Sequence, residues 1–154
     1  MIKLFVMDVD GTLTDGGIYY DDEGREFKKF NVKDGAGIKL LQKNGITTMI
    51  LTGRKSACVE KRGKELGIPY IVQGCDNKKS YLQSFMDENS IKAEETAYIG
   101  DDINDLSCMS LVAHCGCPND AVEEVIQQVE YICDKKGGEG AVREFAEYIL
   151  RLNE

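Results

Sequence analysis

Short apolar runs alternate along the chain with longer stretches in which apolar residues recur every three or four positions. The short runs predict strands at residues 2–9, 47–51, 70–72, 97–99, 111–115 and 131–133. Asp34 stands as the N-cap of a helix through GAGIKLLQKN that Gly45 closes, and a second helix runs to Gly67 with Pro69 just beyond it. Helical periodicity returns at 79–88, 104–109, 119–128 and 140–152; in the last, Val142, Phe145, Ala146, Ile149 and Leu150 form one apolar stripe. Strands alternating with helices at this spacing predict an α/β fold with a doubly wound, Rossmann-like parallel sheet. The Val-, Ile- and Met-rich strands fit a sheet covered on both faces.

One segment breaks the alternation. GGIYYDDEGREFKKF is too short for a crossover helix, and DDEG is a turn between two alternating runs. It predicts a β-hairpin flap over about 16–31, projecting after the first strand. So small a flap cannot bury Tyr19, Tyr20, Phe27 and Phe30 together, which points to a lid or a subunit contact.

At 154 residues the chain reads as a single domain over 1–154, with no repeat, linker or low-complexity run. A net charge of −8 disfavours nucleic acid and anionic membranes as partners. No apolar run reaches the roughly 18 residues of a membrane span, and the N-terminus does not read as a signal peptide, so the expected location is the cytoplasm. The six cysteines are then reduced thiols. Cys115 and Cys117, beside the single histidine His114, lack the paired C-x-x-C spacing of zinc modules and read as buried side chains at a strand end.

The chemistry collects at the ends of strands, where parallel α/β sheets bind ligands. Asp8 and Asp10 follow the first strand, Thr52 the second, and Asp101 and Asp102 the fourth. Side chains two apart on a strand share a face, about 6.6 Å apart. Several carboxylates in one pocket repel one another unless protonated or held by a cation. An all-oxygen set with few protein ligands favours Mg²⁺.

DVDGTLTDG, LTGR, the lysine of GCDNKK and GDDINDL resemble, in order, the four motifs of haloacid dehalogenase superfamily phosphatases. The resemblance implies that Asp8 is the nucleophile that forms an aspartyl-phosphate and Asp10 the general acid and then base. Thr52 and Lys78 would hold the phosphoryl oxygens. Mg²⁺ would be bound by Asp8, the backbone carbonyl of Asp10, and Asp101. Asp102, as a partner of the lysine, and Asp105 would support these groups from behind. Gly11 and Gly53 fit places where backbone N–H groups approach a phosphate.

Only the hairpin follows the first motif, and one helix and one strand separate the second from the third, so no cap domain is expected. TDGGIYY, FNVKDGAGIKLL, QGCDNKK and KKGGEGAVREF are similar to the capless, homotetrameric branch that acts on keto-deoxy sugar acid phosphates. That resemblance implies a homotetramer and a glycine-rich C-terminal segment (about 135–154) reaching a neighbour's site, with Gly138 and Arg143 on the substrate. Arg54 and Arg62 could bind a substrate carboxylate bidentately. Arg54, where relatives acting on nine-carbon acids tend to be acidic, leans the expectation toward an eight-carbon acid. Two other readings differ in class: a non-catalytic oligomerisation module and a phospho-accepting receiver domain. Intact catalytic positions count against the first. D-x-D-G-T on the first strand counts against the second.

Overall fold

The computed structural model describes all residues, Met1–Glu154. Its strands are β1 (Leu4–Met7), β2 (Tyr19–Tyr20), β3 (Glu26–Phe27), β4 (Thr47–Leu51), β5 (Tyr70–Val72), β6 (Thr96–Ile99), β7 (His114–Cys117) and β8 (Tyr131–Ile132). Its helices are α1 (Val32–Lys43), α2 (Ala57–Glu65), α3 (Lys78–Glu88), α4 (Leu106–Met109), α5 (Glu123–Ile126) and α6 (Ala141–Leu152). Six strands form one sheet in the order β5-β4-β1-β6-β7-β8, with every pairing parallel. No cap domain interrupts them, and β2 and β3 form the separate antiparallel hairpin.

Alternation on the central strands divides the core. Phe5 and Met7 of β1, Ile50 of β4 and Ile99 of β6 face a layer containing Ile38 and Leu41 of α1, Val59 of α2, and Phe145 and Ile149 of α6. Leu4, Val6, Met49, Leu51 and Tyr98 face the opposite layer with Leu82 and Phe85 of α3, Met109 of α4 and Val125 of α5. The apolar stripe of α6 lands where its period predicts: Val142, Phe145, Ala146 and Ile149 are wholly buried.

Three expectations need correction. The fifth strand begins at His114 rather than at residue 111, because Leu111 and Val112 complete the turn after α4. The predicted helix at 119–128 shortens to α5, since residues 119–121 turn before it starts. Asp34 does not cap α1, whose N-cap is Asn31 accepting from the Lys33 N–H. The buried Asp34 carboxylate instead accepts from the Arg143 backbone N–H at 3.0 Å, in the first turn of α6. Carboxylates favour helix N-termini, so Asp34 clamps the last helix onto the first.

Candidate active site

The sheet opens where β1 is flanked by β4 and β6, the switch point at which ligands bind in such folds. Asp8 leaves β1 there, tied by its backbone N–H to the Ile99 carbonyl at 3.1 Å. With Asp10, Thr52, Gly53, Arg54, Asp102 and Asn104 it lines a pocket of about 170 Å³. That is below the ~300 Å³ of a drug-sized site, so it fits a phosphate-sized group with the rest of a ligand outside.

Asp105, fully buried, organises the floor. Its Oδ1 accepts from the Lys78 ammonium at 3.0 Å and the Tyr98 hydroxyl at 2.5 Å. Its Oδ2 accepts from the backbone N–H groups of Asp101 and Asp102, at 3.0 and 3.3 Å. Lys78, at the start of α3, also reaches Asp8 Oδ1 at 3.1 Å. The lysine partner is therefore Asp105, not Asp102. Asp102 turns outward, and its Oδ1 accepts from the Ile103 N–H.

Carboxylate oxygens of Asp8, Asp101 and Asp105 lie within 4.8 Å of one another. Burial, then the Asp105 charge, pushes Asp8 well above the usual carboxylate range, with Lys78 opposing. The same two causes push Asp101 up to about 7, against the Thr12 hydroxyl that donates to it at 3.0 Å. This is the signature of acids that share excess negative charge, and a hard cation fits it. Both Asp105 oxygens are already occupied by donors, which leaves Asp8 and Asp101 to face an ion. Gly11 shapes the same place: at φ +82°, a Cβ on it would stand 2.0 Å from Asp101 Oδ2.

Asp10 lines the same pocket but stands apart from this carboxylate cluster. Lys28 from the hairpin donates to its Oδ1 at 2.6 Å and pairs with Glu26 at 3.0 Å. Burial opposes the charge on Lys28, and these two bonds outweigh it, raising its pKa. Arg54 reaches Glu26 at 2.5 Å and comes within 4.0 Å of Asp10 at the pocket mouth. Lys28 and Glu26 escaped the sequence reading. Their signal was the EFK alternation, which puts opposite charges on one face of the flap.

Three expected substrate residues lie outside this chain's pocket. Arg62 packs over Gly35 and lines a crevice with Leu13, Phe30 and Asp34. The Arg143 guanidinium pairs with Glu147 one turn along α6. Gly138 packs within its own chain: its N–H donates to the Thr12 carbonyl at 3.2 Å, against the back of the loop after β1. The cysteines are all free thiols. Burial drives Cys115 up to about 12, and His114 turns to Glu130 at 3.1 Å. No helix is long and apolar enough to cross a membrane.

Residues 70–145 match the model of the haloacid dehalogenase-like hydrolase family. The 3-deoxy-D-manno-octulosonate 8-phosphate phosphatase KdsC of Salmonella typhi is 40% identical, over 97% of this chain and 79% of that protein. Among solved structures, the 3-deoxy-D-manno-octulosonate 8-phosphate phosphatase of Moraxella catarrhalis, in complex with magnesium, phosphate and KDO, superposes with a TM-score of 0.94. It is 45% identical over 97% of this chain and 86% of that one. The Yersinia pestis enzyme of the same name is 38% identical with a TM-score of 0.94, over 97% and 81%.

Proposed function

The chain belongs to the haloacid dehalogenase-like hydrolases, and from that premise we propose that it is a Mg²⁺-dependent phosphatase of a keto-deoxy sugar acid phosphate, with 3-deoxy-D-manno-octulosonate 8-phosphate as substrate. The observation that carries the reading is the convergence of Asp8, Asp10, Thr52 and Arg54 on one phosphate-sized pocket, with Lys78 bonded to Asp8. The names of the similar phosphatases supply the substrate. Arg54, at the pocket mouth with 45% of its side chain exposed, is placed to meet a carboxylate.

Asp8 attacks phosphorus in line with the leaving oxygen, and Asp10 gives that oxygen its proton as the ester bond breaks. The resulting aspartyl-phosphate is hydrolysed by a water that Asp10 deprotonates, which restores Asp8 and releases inorganic phosphate. The Thr52 hydroxyl, the Gly53 backbone N–H and the Lys78 ammonium hold phosphoryl oxygens. Mg²⁺, held by Asp8, the Asp10 carbonyl and Asp101, would supply positive charge that offsets repulsion between carboxylate and phosphate. Ile18, Tyr20 and Phe27 of the hairpin and Val32 at the start of α1 are exposed apolar side chains, which supports assembly with further copies as a homotetramer closing the open site.

Phosphate release from a panel of sugar phosphates, with and without Mg²⁺, tests the reading. Preferred, Mg²⁺-dependent turnover of the eight-carbon acid is expected, and Asp8→Asn loses on the order of 10⁴-fold or more with its fold intact. Preference for a nine-carbon acid 9-phosphate keeps the chemistry and overturns the role of Arg54. Comparable activity in Asp8→Asn sinks the mechanism.

A further inference from the structure

Asp8 and Asp10 are each bonded to a different lysine, and the two lysines come from different parts of the molecule. Lys78 belongs to the core: it opens α3 and bonds Asp8 and the fully buried Asp105. Lys28 belongs to the hairpin: it follows β3 and bonds Asp10 and Glu26. Its side chain is only 1% exposed. A charge so enclosed needs acidic partners against it, and Asp10 and Glu26 supply them.

The hairpin pairs only with itself, through Tyr19–Phe27 and Tyr20–Glu26, and adds no strand to the six-stranded sheet. Asp8 therefore takes its orientation from the sheet and the core, whereas the Asp10 carboxylate takes its orientation from the flap. Glu26 steadies that arrangement, since its second oxygen accepts from Arg54 on the opposite wall.

We propose that Lys28 is a positioning residue for proton transfer, which holds the Asp10 carboxyl toward the leaving oxygen and makes that orientation depend on the seated hairpin. The inference rests on the reading of Asp10 as the acid and base. As the Asp8–phosphorus bond forms and the ester P–O bond breaks, the electron pair passes to the leaving oxygen and the proton on Asp10 follows. Lys28 neither gives nor takes a proton. A misdirected Asp10 then harms an alkyl ester, whose alkoxide must be protonated to leave. It spares the first step of an aryl ester, whose phenolate leaves unaided, while the water step that Asp10 also serves is common to both esters.

The test compares the single-turnover rate of alcohol or phenolate release, which reads the first step alone, on the sugar acid phosphate and on p-nitrophenyl phosphate, with Mg²⁺, for the wild type, Asp10→Asn and Lys28→Met. Lys28→Met is expected to lower the ratio of alkyl to aryl leaving-group release about tenfold or more, in the same direction as Asp10→Asn. Equal loss on both substrates by a folded variant marks Lys28 as a structural pin and overturns the proposal, as does an unchanged ratio. Should Lys28→Met fail to fold by circular dichroism, Lys28→Gln is read the same way. A wild type that hydrolyses neither ester defeats the functional reading itself, and this inference with it. Selective loss in Asp10→Asn without it in Lys28→Met defeats the inference alone.

Discussion

The Tyr98 hydroxyl reaches Asp105 from the middle of β6, where its ring is fully buried. Without that bond the Asp105 carboxylate would lose one of four donors in a place water does not enter. Tyr98→Phe is therefore expected to cost about 1.5–3 kcal/mol in urea unfolding, the range for hydrogen bonds to charged groups. A change near zero would show that Lys78 and the two backbone N–H groups suffice. At this scale much of the candidate site was legible. Asp8, Asp10, Thr52 and Asp101 follow apolar strands, and a polar group in that position has few structural uses. Partnerships were not legible: charge alone cannot tell whether Lys78 bonds Asp102 or Asp105. The helical turn after Asp102 decides it, by carrying Asp105 back under the Asp101 and Asp102 N–H groups.

Element boundaries followed the sequence wherever a local signal had no competitor, as at β4 and β5. They slipped where one apolar run served two purposes. LVAHC reads as one strand, yet Leu111 and Val112 pack under the turn after α4 and pairing starts at His114. The segment before α6 shows the same limit in reverse. No local pattern shows why Gly137 and Gly138 stand there, and the reason is that another backbone lies against them. A Cβ on Gly137 would stand 1.9 Å from the Gly11 carbonyl oxygen, and one on Gly138 would stand 2.4 Å from the Asp15 nitrogen. The loop thus braces D-x-D-G-T from behind, while Asp34 secures the helix that follows. Gly137→Ala is expected to destabilise by about 1–3 kcal/mol through overpacking. It should also lower kcat, because Gly11 must move. A variant with wild-type melting temperature and turnover would show that the brace yields freely.

For the whole molecule, the crowded carboxylates make stability depend on both pH and metal. Asp101 titrates near 7 in the folded chain against an ordinary value of 3.8. The folded state thus binds that proton more tightly than the unfolded state, and Asp8 is shifted in the same direction. The stability they contribute is complete below the unfolded value and is lost as pH rises through about 7. The metal-free protein should melt several degrees lower at about pH 8 than at about pH 5.5, and Mg²⁺ should stabilise it more at the higher pH, where the acids are ionised. Exposed acids with lowered values, such as Asp21 and Glu95, act oppositely but are screened by water. A metal-free melting temperature that rises over this range would refute the argument. The sequence by itself determined the α/β class, the parallel sheet, the hairpin and the acids at the strand ends, because period, turn chemistry and strand-end polarity are local properties. Only the tertiary structure decided which lysine serves which aspartate, that the glycine-rich loop backs the loop after β1, and that Arg62 and Arg143 stand outside the pocket. Those outcomes depend on contacts between residues as far apart in sequence as Asp34 and Arg143, which no local pattern encodes.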